Sequence, residues 1–219
     1  MKTLDRLGVV EIPFFNNEEC EKVIEYANEK EEYFIKENKD IDESEVYSKN
    51  QVTTANFDKY NFFVDNPEYI DRLLRCLKEI LPHLTYPIIV QSWVNIYKTD
   101  EGIGWHNHHG LSGHSYTANI FIGGTTQPGV VYSTPGEDEF TIENKLGKML
   151  LSHCMQWHMV PVNKLDDSRY SVGVTIHDYE AFTNNLLRGA CFNLKGPAPG
   201  TLFCIESCTP SSGCSLMMS

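Results

Sequence analysis

The chain has 219 residues, 41% of them hydrophobic and 22% charged, enough for one compact domain with a buried core. Eighteen basic residues against thirty acidic ones leave a net charge of −12, which repels a phosphate backbone and counts against nucleic acid as a partner. No run of about twenty apolar residues is present, so no membrane span is expected, and the opening Met-Lys-Thr lacks an apolar leader, so the expected compartment is cytoplasmic. Residues 18–45 hold twelve acids and four lysines, so most of the excess charge describes a solvated helix and loop. The seven cysteines form no C-x-x-C pair and are expected to be reduced, with Cys20 and Cys76 as small core residues.

Along the chain, the apolar opening Ile12-Pro13-Phe14-Phe15 leads to Asn17, a candidate cap followed by Glu18 and Glu19. Cys20, Val23, Ile24 and Ala27 then mark one face of a helix over about 18–31, and residues 36–50 read as a polar loop. Pro67 opens a second helix, over about 67–81, whose stripe is Ile70, Leu73, Leu74, Leu77, Ile80 and Leu81. From about residue 88 the character changes to strands. Ile88 to Tyr97, 116–123, 129–133, 138–142, 148–153, 157–162 and 169–177 are β-branched or aromatic runs, separated by Gly, Pro and Asp turns. Two helices before many short strands give an α+β class with a mostly antiparallel sandwich or barrel. The expected organisation is one domain over 1–178 and a C-terminal extension over 179–219. From about 196 the extension is rich in Pro, Gly and Ser and reads as a weakly ordered tail. Its Cys204, Cys208 and Cys214 lack the spacing of a metal site.

Chemistry concentrates in the histidines. Four of the eight fall within Trp105-His-Asn-His-His-Gly-Leu-Ser-Gly-His114. In an extended segment His106 and His108 share a face and His109 points the other way, which makes the first two a pair of metal ligands suited to zinc or iron alike. The best third ligand is His158 in Gln156-Trp-His-Met-Val-Pro161, with His153 as the rival. On one strand their odd separation would put these two on opposite faces. Trp105, Trp157 and Tyr116 are candidates to wall the pocket.

Three further features sharpen this. Asn95-Ile-Tyr97 lies on the strand before the histidines, Arg169-Tyr-Ser171 puts Arg and Ser on one strand face after His158, and Ser171 to Ile176 continues that strand. The order resembles the iron(II)/2-oxoglutarate-dependent oxygenases: a strand, a His-x-acid motif, a distal His, then Arg-x-Ser. The likeness covers about residues 10–178 and is nearest to an uncharacterised branch of marine phages and bacteria, on the strength of His106-Asn-His108-His-Gly110 and Ser112-Gly113. It implies a double-stranded β-helix, or jelly roll, with flanking N-terminal helices. It also implies iron(II), 2-oxoglutarate and molecular oxygen as cofactors and co-substrates, and hydroxylation of a small molecule or protein side chain with release of succinate. On that resemblance His106 and His158 are metal ligands, Arg169 holds the distal carboxylate of 2-oxoglutarate, Ser171 assists, and Asn95 and Tyr97 match a pair that binds 2-oxoglutarate oxygens in the nucleic-acid demethylase branch. An ordinary strand is the alternative for Asn95 and Tyr97, and a surface ion pair with Asp166 or Asp167 for Arg169.

The departure from the pattern is His108, which stands where the family has Asp or Glu. A three-histidine set still offers a facial site with open positions but leaves the metal more positive. Asp100 and Glu101 lack the spacing to replace the acid, leaving a carboxylate from another segment, a water or a halide as alternatives to His108. A cupin-like metal enzyme that does not use 2-oxoglutarate, and a non-catalytic jelly-roll binding module, are the competing functions.

Overall fold

The computed structural model describes residues 2–4, 8–37, 52–53, 60–82, 84, 88–108, 115–124, 129–133, 138–178, 190–192 and 202–203. Strands β1 (Lys2–Leu4) and β2 (Val9–Pro13) precede helix α1 (Asn17–Glu37). Strand β3 (Val52–Thr53), a single turn α2 (Phe62–Asp65), a 3-10 turn (Pro67–Tyr69) and helix α3 (Ile70–Ile80) follow. The remaining strands are β4 (Ile88–Tyr97), β5 (Ile103–His106), β6 (Tyr116–Gly124), β7 (Val130–Ser133), β8 (Phe140–Ile142), β9 (Lys148–His153), β10 (Trp157–Val160), β11 (Arg169–Asp178), β12 (Ala190–Phe192) and β13 (Leu202–Phe203). No described helix is long and apolar enough to cross a membrane.

The strands form two antiparallel sheets. The larger runs β1-β2-β9-β6-β11-β4-β12-β13, with β3 also paired to β4, and the smaller runs β5-β10-β7-β8. From β4 to β11 the chain shuttles between them: β4, β6, β9 and β11 build the large sheet, while β5, β7, β8 and β10 build the small one. That alternation is the double-stranded β-helix expected from the sequence, with the helices lying outside the large sheet.

Side-chain alternation explains why two faces of one sheet differ so sharply. On β11, Val172, Val174 and Ile176 join a core with Val90, Val94 and Ile96 of β4 and Phe62, Phe63, Leu73 and Leu77 of the helical layer. The opposite face presents Arg169, Ser171, Gly173, Thr175 and His177, in register with Tyr97, Asn95, Trp93, Gln91 and Ile89 of β4. A second, smaller core of Val9, Val130, Tyr132, Ile142 and Leu150 lies under the small sheet. The apolar face therefore fastens the helices, and the polar face is left to line a cavity between the sheets.

Helix α1 runs further than the first apolar residues indicate, because Phe34 prolongs the buried line of Cys20, Val23 and Ala27. Its cap is Asn16 rather than Asn17. The Asn16 Oδ1 accepts from the Glu19 backbone N–H (2.9 Å) and Glu19 Oε2 accepts from the Asn16 N–H (2.8 Å), a reciprocal capping box. The expected second helix is divided, with Pro67–Tyr69 wound as 3-10 before α3. Asn61 ties α2 to the sheet by donating to the Val90 carbonyl (2.8 Å) and accepting from the Ser92 hydroxyl (2.7 Å). The polar loop after α1 and the expected tail lie outside the described residues, apart from the short β13. So do His83, His109, His114 and the cysteines beyond Cys191.

Candidate metal centre

Strand register builds the site. β5 and β10 pair antiparallel with His106 directly opposite His158, and β10 also pairs with β7, placing Tyr132 beside His158. The rings of His106 and His158 lie 4.2 Å apart between centroids. His108 sits beyond the end of β5, not on it, and its ring is 5.4 Å from each of the other two. Its backbone N–H donates to the Cys154 carbonyl at 2.9 Å, which turns it back toward the pair. One ring nitrogen from each of the three lies within 4.8 Å of the others, and among the described residues no carboxylate joins this group.

Two of the rings are oriented by backbone carbonyls. His106 Nδ1 is 2.8 Å from the Gly104 oxygen, and His158 Nδ1 is 3.1 Å from the Gln156 oxygen. A carbonyl only accepts, so each Nδ1 carries the proton and each Nε2 keeps its lone pair. Burial pushes the His108 pKa down to about 3, helped by His158, His106 and His177, and pushes His158 down to about 4, helped by His106. Burial lowers His106 as well, against the Gly104 carbonyl. Three neutral imidazoles with converging lone pairs are a set that a divalent transition metal can use.

The cavity beside the histidines is lined by Trp93, Asn95 and Tyr97 of β4, Thr117 and Asn119 of β6, and Leu150 and Ser152 of β9. Ala118, Val130, Tyr132, Val160, Ile103 and Gly173 complete it, so no Asp, Glu, Lys or Arg is among the described lining residues. The aromatic wall is therefore Trp93, Tyr97 and Tyr132. Trp105 and Trp157 point the other way and are 38% and 40% exposed, because the alternation that turns His106 and His158 inward turns their neighbours outward. Tyr116 instead packs edge-on to His153. That histidine ends β9, on a different strand from His158, and accepts from the Met155 N–H at 3.2 Å, away from the cluster.

Further along the same face lie the residues expected to hold a co-substrate. Arg169 is 3% exposed, its guanidinium 4.8 Å above the Tyr97 ring and donating to the Pro161 carbonyl at 3.2 Å. Asp166 and Asp167 are at the surface, so a solvent-exposed ion pair does not describe Arg169. Burial lowers the Arg169 pKa against the influence of Tyr97, but a guanidinium stays charged at any ordinary pH. Ser171 Oγ lies 3.5 Å from Asn95 Nδ2 and 3.4 Å from Asn119 Nδ2. Asp100 pairs with Lys164 at the surface, and the buried Glu101 accepts from the Lys98 N–H at 2.8 Å, so neither acid supplies the cluster.

Sequence reading missed Trp93, Gly173 and Asn119. A Cβ on Gly173 would stand 2.4 Å from Trp93 Cε2, so the missing side chain is what lets the indole lie across β11. The cue was the continuation of the Arg-x-Ser alternation to Gly173, combined with a register the sequence does not carry.

No family model and no curated protein matches the chain, whereas solved structures do. The non-haem α-ketoglutarate-dependent carbocyclase SnoK from nogalamycin biosynthesis is 19% identical, over 87% of this chain and 90% of its own, with a TM-score of 0.57. A prolyl-4-hydroxylase from Pseudomonas putida is 11% identical over 80% of this chain and 95% of its own, and HygX from Streptomyces hygroscopicus, solved with nickel and 2-oxoglutarate bound, is 11% identical over 80% and 84%. Both give a TM-score of 0.57. The chain shares their double-stranded β-helix. At such identities the likeness establishes the fold alone.

Proposed function

We propose that the protein is a non-haem iron(II)- and 2-oxoglutarate-dependent dioxygenase that hydroxylates its substrate while 2-oxoglutarate is decarboxylated to succinate. The observation that carries this is the convergence of His106, His108 and His158 beside a cavity on the sheet face that also carries the buried Arg169. The sheet architecture shared with the carbocyclase, the prolyl-4-hydroxylase and HygX supports it, as does the sequence pattern His106-Asn-His108-His-Gly110 of the phage and marine bacterial branch.

The residues present suit such a metal. The two Nδ1–H bonds to carbonyls leave Nε2 lone pairs for coordination, and the buried rings carry no charge to repel a cation. When bound, iron(II) with oxygen and 2-oxoglutarate supplies the oxidising power, one oxygen atom passing to product and the other to succinate. The protein's part is to bind and orient. Arg169 offers a fork of donors to the distal carboxylate of 2-oxoglutarate, and Ser171 donates its hydroxyl beside it. Asn95 and Tyr97 meet the remaining oxygens. Trp93, Tyr132 and Leu150 exclude water from the cavity.

A small molecule or a protein side chain is the proposed substrate class. The uncharged lining and the net charge of −12 both disfavour nucleic acid.

The all-imidazole set favours one alternative, a cupin-like metal enzyme that does not consume 2-oxoglutarate. Succinate formation and oxygen uptake by iron-loaded protein, with and without 2-oxoglutarate, separate the two. Stoichiometric succinate supports the dioxygenase. Oxygen uptake with no succinate supports the alternative, and failure to retain any metal leaves a binding module.

A further inference from the structure

We infer that Ser115 and His177 form a buried clamp that positions His108, on the reading of the three histidines as a metal centre. His106 and His158 are fixed by the β5–β10 ladder, but His108 lies past the last residue of β5 and needs another support. A chain of hydrogen bonds supplies it. The His108 N–H donates to the Cys154 carbonyl (2.9 Å), and the Cys154 N–H donates to the Ser115 carbonyl (3.1 Å). The Ser115 hydroxyl in turn lies 2.9 Å from His177 Nδ1.

Ser115, Cys154 and His177 are all 0% exposed. His177 belongs to β11 and is in register with Ile89 of β4, so the chain ends on the central strands of the large sheet. A buried hydroxyl–imidazole bond is costly to break, because each group then stays in the interior without its partner. The bond therefore fixes where the backbone enters β6. That fixes the turn at Cys154, and the turn carbonyl fixes the backbone of the third imidazole. His177 does not line the cavity, so it is a positioning residue that acts through Ser115 and Cys154. It also gives a purpose to a buried histidine that the proposed reaction leaves unused.

The test is cobalt(II) binding to the full chain stripped of metal, followed by the visible absorption of the ion. Ser115→Ala and His177→Leu should each weaken cobalt binding by about 10–100-fold and move the spectrum toward that of His108→Ala. His177→Asn, which keeps a hydrogen-bonding group near the Nδ1 position, should restore most of the affinity. In a His108→Ala background, Ser115→Ala should cost no further affinity, since its effect runs through His108. A purely structural pair would lower the melting temperature equally in both backgrounds and leave the spectrum unchanged. Unaltered affinity in Ser115→Ala, or an equal loss in the two backgrounds, overturns the inference. Should His177→Leu fail to fold, Ser115→Ala removes a single oxygen atom and carries the test. A wild-type chain that binds no cobalt overturns the metal reading and the clamp with it, whereas binding that ignores the variants overturns the clamp alone.

Discussion

His106 and His158 face each other across two antiparallel strands, their ring centroids 4.2 Å apart. The ladder that brings them together also sets their backbones before any ligand arrives. Little conformational entropy is then left to lose when a metal binds.

Removing either member of this pair should remove the metal. His106→Ala and His158→Ala should each weaken nickel or cobalt binding at least about 100-fold, an effect on the scale of about 3 kcal/mol. Calorimetric titration measures it. Wild-type affinity in either variant would mean that the cluster is not the ligand set.

How much of this was legible varies with the range of the interaction. The i, i+2 spacing of His106 and His108 and the isolated His158 pointed to the cluster, and the β-branched and aromatic runs over 88–97 and 169–177 marked the two paired strands beside the cavity. Nothing local says that His106 pairs with His158, or that Trp93 rather than Trp105 or Trp157 faces the cavity. Those facts depend on register between strands far apart in sequence. His108 joined the cluster for a reason other than alternation, since β5 stops at His106 and a loop hydrogen bond brings it in. The cap at Asn16 was displaced by one residue because adjacent asparagines are equivalent to a propensity rule and only the bond to Glu19 decides.

Gly173→Ala tests the close approach of Trp93 to β11. The new Cβ would meet indole atoms at 2.4–2.7 Å, so the ring must move off the sheet. A loss of about 1–3 kcal/mol is expected from such overpacking, read by urea denaturation, together with a change in tryptophan fluorescence. An unchanged unfolding midpoint would show that the indole is not held there.

Acid sensitivity should report on Glu19. Its Oε1 and Oε2 accept from Arg72 at 2.6 and 2.7 Å, and this bond, with lesser help from Asn16, holds the carboxyl below its usual pKa. A lowered folded pKa contributes stability that is complete above the unfolded value of about 4.3 and is lost as pH falls through the folded one. Glu19→Gln should therefore lose about 1 kcal/mol at pH 7 and lose less than wild type on acidification. Parallel stability curves from pH 7 to pH 3 would argue against it.

Arg169→Gln should separate co-substrate from metal. The guanidinium is buried on the cavity's sheet face directly opposite Tyr97, so its loss should raise the dissociation constant for 2-oxoglutarate by more than about 30-fold, equivalent to about 2 kcal/mol. The affinity for cobalt alone should stay within about threefold. Equal losses for both ligands would assign Arg169 to the fold instead of to 2-oxoglutarate.

Anaerobic titration of the metal-free protein with iron(II), in the presence and absence of 2-oxoglutarate, bears most directly on the proposed chemistry. A visible absorption band that requires both iron and 2-oxoglutarate, and that disappears in His158→Ala, is the expected result. Tight iron binding with no such band at any 2-oxoglutarate concentration would contradict a 2-oxoglutarate-dependent centre at His106, His108 and His158.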